Sequence, residues 1–379
     1  MKIAYISYSI IPSHTANSVH VMKMCQAIAK TGQKVSLLIP HKKLDNRNQL
    51  INPYSFYGID ECFEIKKIIC PAIKAKSIIF YIRAAMLLKT MKPDIVYTRS
   101  ILAAYLASFY NKSIVCEKHI PVNNFIELLC LKYLIKYNKI KKFIVISREL
   151  QNYYLNKFPN INKLIMVLPD ASDVISKNVK PKNIETSKNH ITVGYTGNLY
   201  KGRGIEIILE LAEKCSWAKF YIIGGTQKDI SYWQKKINNY ENILIYGHVP
   251  HSEIAEYLLS FDILLAPYQK QVFTFGGTKY TGGSGDIGKW MSPLKIFEYM
   301  AAGKAIIASD LPVLREILKN SINALLVPAN DPQLWEQALT TLRHNPELRH
   351  TIAKQAKLDL ENYYTWAKRA QLICNELRY

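Results

Sequence analysis

No apolar run in this chain reaches the roughly 18 residues that a membrane-spanning helix needs, so nothing in it predicts a transmembrane segment. The opening MKIAYISYS also lacks the long apolar stretch of a secretory signal, which predicts a cytoplasmic location. There is no CxxC pair. The seven cysteines, at 25, 62, 70, 116, 130, 215 and 374, are odd in number and have no histidine at zinc spacing. That pattern argues against a disulfide or zinc scaffold and predicts reduced thiols in a core. Acids are scarce, with 29 Asp and Glu against 50 Lys and Arg. Yet no zinc-finger, RNP-like or helix-turn-helix pattern accompanies the excess, so nucleic acid is not the expected partner.

What is present is a globular chain of 379 residues, long enough for two domains. The formal charge of +21 is uneven: residues 1–170 hold 25 Lys and Arg against 9 Asp and Glu, the rest 25 against 20. A half that basic calls for an anionic surface or a polyanion nearby. Its lysines interleave with apolar runs, IKKIICPAIKAKSIIFYIRAAMLLK at 65–89 and FIELLCLKYLIKYNKIKKFIVIS at 125–147. That texture fits either an amphipathic membrane-surface patch or core helices with solvated lysine faces, and the charge asymmetry favours an anionic membrane surface.

One architecture occurs twice. KIAYIS, the polar loop IPSHTANS, the periodic VHVMKMCQAIAKTG and KVSLLIP form a strand–loop–helix–strand unit; ITVGYTG, NLYKGRG, IEIILELAEKC and AKFYIIGG repeat it. DIVYTRS, SIVCEKH and KFIVIS follow in the first half, and NILIYGHV, DILLAPY and AIIAS in the second. Unbroken apolar strands of this kind suit parallel sheets covered on both faces. The polar, aperiodic 172–190 is the expected link. The fold class is therefore α/β, with two Rossmann-like, doubly wound domains facing a central cleft: 1–172, a linker at 173–190, and 191–361, with a final helix of about 362–379 packing back on the first domain. Neither first loop carries GxGxxG, and GRG at 202–204 is too little for a dinucleotide, which disfavours a dehydrogenase.

Taken together, VGYTGNLYKGRGIE, FYIIGG, ILIYGHVPHSEIAEYLLSFDILLAPY and SPLKIFEYMAAGKAIIASDLPVLREIL resemble the GT-B glycosyltransferases, more narrowly the retaining family 4 (glycosyl transferases group 1) of bacterial surface-polysaccharide and lipid-linked sugar transferases. The resemblance is strong from 192 to about 345; over 1–170 it rests on ANSVHVMKMCQAIAK, VYTRS, CEKH and VLPDASD. It implies that Ser292, Pro293, Leu294 and Lys295 lie against a donor diphosphate, where a helix start offers free N–H groups. From residue type alone, Ser292 is expected to cap that helix, Pro293 to open it and Gly303 to close it. Glu298 matches the second Glu of the E-x7-E motif, which accepts the ribose hydroxyls; as a plain surface residue it would pair with Lys295. The first Glu of that motif falls on Trp290, with Asp286 or the backbone of GKWMS as a substitute near the sugar.

The family's diphosphate-binding cations map onto the loop after Gly197: Asn198 stands at the usual Arg, Lys201 lies nearby, and Arg203 before Gly204 best matches the Lys-Gly pair. Fixed cations of this sort, with no Asp-x-Asp, predict no metal and no cofactor beyond the nucleotide-sugar substrate. His119 matches the acceptor-domain histidine that contacts the donor sugar. Asn17 and Ser18, in the small-residue loop with Ala16, are expected to approach a phosphate or acceptor; His14 and His20 fit structural or acceptor-binding roles. Catalytic roles are expected for His119, Arg203 and Glu298. The function so implied is retaining transfer of a sugar from a nucleotide sugar to a glycan or lipid-linked acceptor at the inner face of the cell membrane. A sugar-nucleotide epimerase, or a weakened polyanion-binding protein on the same scaffold, remains the alternative.

Overall fold

The computed structural model describes residues 1–41, 51–71, 76–111, 113–184, 190–237, 240–274 and 285–378. Residues 72–75 of the first basic–apolar run and 185–189 of the expected linker lie outside these. The chain forms two compact units, Met1–Asp170 with Trp366–Tyr379, and Ala171–Thr365.

In the first unit the chain runs β1 (Lys2–Ile6), α1 (Ala16–Lys30), β2 (Lys34–His41), α2 (Pro53–Phe56), β3 (Glu64–Ile69), α3 (Lys76–Met91), β4 (Ile95–Thr98), α4 (Ile101–Ala107), β5 (Ile114–Lys118), α5 (Phe125–Lys136), β6 (Ile140–Val145), α6 (Arg148–Lys157) and β7 (Ile165–Val167). The strands form one parallel sheet in the order β3-β2-β1-β4-β5-β6-β7. Strands β4 and β5 are buried along their whole length, which is why they read as continuous apolar runs. α1 begins at Ala16 rather than beyond the loop, because the Thr15 side chain accepts the Ser18 N–H and caps it. Asn17 and Ser18 therefore stand in the first helical turn instead of the loop before it.

The second unit follows the same plan: β8 (Ile191–Thr196), α7 (Ile205–Lys214), β9 (Ala218–Ile223), α8 (Gln227–Ile237), β10 (Ile243–Gly247), α9 (Ile254–Leu259), β11 (Ile263–Ala266), α10 (Leu294–Ala302), β12 (Ala305–Ser309), α11 (Pro312–Arg315), β13 (Leu325–Val327), α12 (Pro332–His344) and α13 (Pro346–Tyr363). Its parallel sheet has the order β10-β9-β8-β11-β12-β13. Two apolar cores cover its faces, one around Phe297, Met300 and Leu360, the other around Ile208, Trp233 and Trp335. Ile184 belongs to the first of these, so the described start of the expected linker is part of this unit. Its two ends meet where the Ser172 N–H donates to Tyr364 O at 3.1 Å. The chain then returns to the first unit as α14 (Trp366–Arg378), which packs on α1.

In each sheet the strand order reverses once, between β1 and β4 and between β8 and β11. Open α/β sheets bind ligands beyond the carboxyl ends of their strands at such reversals. Five of the seven cysteines are buried as core thiols; Cys62 is exposed and Cys70 half-buried.

Candidate active site

At the reversal in the second unit, three segments converge: the loop after β8, the exit of β11, and the start of α10. Tyr299 pins them. Its hydroxyl accepts the Thr196 N–H at 2.8 Å and donates to Leu265 O at 3.3 Å, tying α10 to both strands. The glycine loop completes the join. Gly197 has φ of +131°, and a Cβ there would stand 2.9 Å from Lys295 Nζ; Gly204, at φ +78°, brings the loop so near β11 that a Cβ would meet Pro267 O at 1.8 Å.

Lys295 is only 8% exposed, and its Nζ has no hydrogen-bond partner among the described residues. The ammonium end lies 3.6 Å from the Tyr195 ring centroid and 5.2 Å from that of Tyr268. Arg203 presents its guanidinium to the same Tyr268 ring at 5.4 Å, and its Nε is likewise buried without a partner. Burial first, and Arg203 second, hold Lys295 well below the usual lysine range, against the pull of Glu298. Burial also pushes the Tyr268 hydroxyl up to about 12, so it stays protonated as a donor. Buried polar groups are nearly always hydrogen-bonded. A buried amine and a neighbouring guanidinium, each with an idle N–H group, form a socket suited to a multiply charged oxyanion.

One and a half turns along α10, half-buried Glu298 accepts from His251 Nε2, 2.9 Å from its Oε1. That partner lies 47 residues away. The local surface pair with Lys295 is not formed, because Lys295 points inward. The carboxylate keeps a second oxygen for a ligand hydroxyl.

The remaining expected residues fall as follows. Pro293 occupies the N-cap position of α10, and no side chain caps the helix; Ser292 is buried one residue further out, so it is not the cap, and Pro293 is not the first helical residue. Leu294 opens the helix, and Gly303 closes it in the left-handed conformation. Asn198 is exposed, with its carbonyl accepting from Tyr195 Oη at 2.8 Å. Lys201 is exposed, its Nζ 5.6 Å from the Phe273 ring centroid. Asp286 uses Oδ1 to accept the N–H groups of Val272 and Gly288, both at 2.8 Å, and so folds the loop before α10. Trp290 is half-buried beside Lys289.

The first unit carries a second cluster, built around the carboxyl-end residues of β4 and β5. Glu117 is fully buried and binds Arg369 of α14 (3.0 Å), the Tyr97 hydroxyl, and His119 Nε2. His20 bridges, with Nε2 3.0 Å from Glu117 and Nδ1 2.9 Å from Asp170. Burial opposes the charge of Glu117, but Arg369 and the histidines prevail and hold it well below the carboxylate range. Burial and then Arg99 push His119 down to about 4, so its imidazole is neutral near pH 7. Asn17 Nδ2 donates to Ser9 Oγ at 2.6 Å, and Ser18 Oγ to the carbonyls of Ser13 and Thr15, both at 2.8 Å. The ligand atoms of His20, Glu117, His119 and Asp170 lie within 4.8 Å of one another, a spacing a metal ion could bridge. The charge balance is against one: Arg369 already neutralises Glu117, and Arg99 adds a further positive charge.

Sequence reasoning missed Glu117, His251 and Arg369. Glu117 carries one available signal, an acid inside a wholly buried strand, but nothing local pairs it, and Arg369 is one of several charged residues of α14.

Residues 176–359 match the family model described as glycosyl transferases group 1. An uncharacterized glycosyltransferase of Methanocaldococcus jannaschii is 24% identical over 240 residues, 61% of this chain and 57% of that protein. A second from the same organism is matched over 62% of its length, so the chain spans about three fifths of these relatives. Among solved structures, HepE of Anabaena in complex with UDP superposes with a TM-score of 0.73 at 13% identity, covering 100% of both chains. The lipopolysaccharide outer core galactosyltransferase WaaB superposes at 0.68 and 14%, over 100% of this chain and 99% of that one. The fold is GT-B.

Proposed function

Taking as premise that residues 176–359 belong to the glycosyl transferases group 1 family, we propose that the protein transfers a sugar from a nucleotide sugar to a glycan or lipid-linked acceptor, with retention at the anomeric carbon. The observation that carries this reading is the buried, unpartnered Lys295 Nζ and Arg203 Nε, gathered on one tyrosine ring beside Glu298. When the glycosidic bond to the donor breaks, negative charge grows on the departing diphosphate. Donors already in place stabilise that charge without reorganising. Lys295 and Arg203 take the diphosphate oxygens, and Glu298 accepts from the ribose hydroxyls. Because Arg203 and a lysine that the diphosphate itself draws into the charged form are built in, the reaction runs without a divalent metal or other cofactor. The departing phosphate oxygen receives the acceptor proton, so catalysis rests on positioning more than on a protein base. Neutral His119, held by Glu117, offers its other ring nitrogen to a sugar hydroxyl.

Acceptor recognition falls to the first unit, which we place on an anionic membrane surface. α4 packs between α3 and α5. On α3 the residues Ile78, Ile82 and Met86 repeat every four positions and stay exposed; on α5 Phe125, Ile126 and Leu129 are exposed too, flanked by exposed Lys132 and Lys136. Among the described residues no helix is long and apolar enough to cross a membrane. The match to WaaB, a lipopolysaccharide core transferase, supports a surface-glycan acceptor.

The test is release of nucleoside diphosphate from a panel of nucleotide sugars, with and without membrane-derived glycolipid. Release should require acceptor and survive EDTA. Release that stops with chelator and returns with Mg²⁺ or Mn²⁺ overturns metal independence; no release from any donor overturns the transferase reading.

A further inference from the structure

The reversal in the first sheet, between β1 and β4, holds two polar groups that its neighbours leave unused. The Tyr5 hydroxyl and Arg99 Nη1 are both buried and have no hydrogen-bond partner among the described residues. Tyr5 stands opposite Tyr97 in the strand register, and their rings stack at 4.7 Å. Arg99 follows β4 directly, two residues past Tyr97, at the carboxyl end of the strand.

The surrounding groups are already engaged. Glu117 is taken by Arg369, Tyr97 and His119, and Asp170 Oδ1 by His20. No ion pair links Arg99 to either acid. Its positive charge is nonetheless felt locally: it helps keep His119 neutral, and it opposes the burial and Glu117 effects that hold the Tyr5 hydroxyl well above its usual range. A guanidinium is always charged and offers five N–H donors in a fixed fork. Leaving one of those donors dry and unpaired is costly unless a ligand fills the place. An acceptor-rich anion would satisfy both, because Arg99 Nη1 and a protonated tyrosine can each donate to it.

We propose that Arg99 and the Tyr5 hydroxyl form an oxyanion subsite in the first unit, and that the sugar acceptor carries a phosphate or carboxylate which docks there. Only the word acceptor rests on the transferase reading; the subsite itself does not. A charged group held at Arg99 beside neutral His119 would fix the acceptor's position relative to the imidazole. It would also exclude uncharged glycans that lack this anchor.

Full-length Arg203→Gln, in which the second unit's own anion socket is weakened, is titrated by calorimetry with methyl phosphate and with acetate. Arg203→Gln should still bind at least one of these anions. Adding Arg99→Gln should weaken that binding about tenfold or more, the loss of a charge-assisted hydrogen bond, and Arg99→Lys should recover part of it. A response to methyl phosphate identifies a phosphate on the acceptor, and a response to acetate a carboxylate; either supports the subsite. Melting temperatures without anion check the fold, and Arg99→Lys keeps the test open should Arg99→Gln fail to fold. Equal anion affinity with and without Arg99, or no binding to Arg203→Gln at all, overturns the proposal. Failure of the donor-site reading shows separately, as unchanged nucleoside diphosphate affinity in Arg203→Gln.

Discussion

Replacing Lys295 with methionine should make the protein more stable and less able to bind its donor. In the free protein the lysine sits in a buried site with an unpartnered Nζ, and burial and Arg203 hold it well below the lysine range. An unsatisfied buried donor costs about 1–3 kcal/mol, which a methionine of similar length would relieve. For a unit of this size each 1 kcal/mol moves the melting temperature by roughly 2–4 °C, so the second unit should melt about 2–12 °C higher. The opposing effect is the contact with the Tyr195 ring, 3.6 Å away. A cation there is worth about 2 kcal/mol when desolvated, but only in the charged form, and methionine sulfur also packs well on aromatic rings. Binding should move the other way. One charge-assisted bond lost costs roughly 1.5–3 kcal/mol, or about tenfold to 150-fold in nucleoside diphosphate affinity.

The pH dependence carries the sign independently. The folded pKa of Lys295 lies below its unfolded value, so between the two the unfolded chain holds one more proton, and stability rises with pH through that window. A diphosphate favours the charged amine, so its binding takes up a proton and weakens as pH rises above the free-state pKa. Calorimetry in buffers of different ionisation enthalpy should detect the uptake in wild type and not in Lys295→Met. A variant that melts lower, binds unchanged and shows the same proton uptake would refute this account of the site.

Glu298→Ala should weaken nucleoside diphosphate by about 2–4 kcal/mol while leaving inorganic pyrophosphate affinity nearly unchanged, since only the ribose contact is lost; equal losses for both ligands would contradict the ribose role. Glu298→Gln, which keeps one acceptor, should lose less. The protein should sediment with anionic vesicles at low salt and release as salt rises, at about 1 kcal/mol per basic residue near the surface; indifference to such vesicles would mean that the lysine faces of α3 and α5 are only solvated.

The strands that build both sheet centres were legible because burial on two faces makes them continuous apolar words, as in IVYT of β4 and ILLA of β11. The edge strands β3, β7 and β13 were not: EIKKII alternates charge with apolar residues, and the other two span three residues each. In the site, glycine spacing and motif order placed Arg203, Lys295 and Glu298 correctly on one loop and one helix, but their partners depend on packing. Glu298 turns to His251 instead of Lys295 because α10 buries its lysine side. Ser292 looked like a cap because serine before proline favours one, yet the helix starts after Pro293. Glu117 gives no local sign of a partner, because its counter-ion lies 252 residues later.

That last separation bears on how the chain is made. Arg369 is translated only after all of Ala171–Thr365, about 195 residues later than Asp170, a delay on the order of 10–40 s at ribosomal rates. The second unit closes on itself at Ser172 and Tyr364 and can fold meanwhile. The first lacks part of its core until then, because Glu117 has Tyr97, His119 and His20 beside it but not the Arg369 guanidinium. The nascent first half must therefore wait, exposed along the surface that α14 will cover.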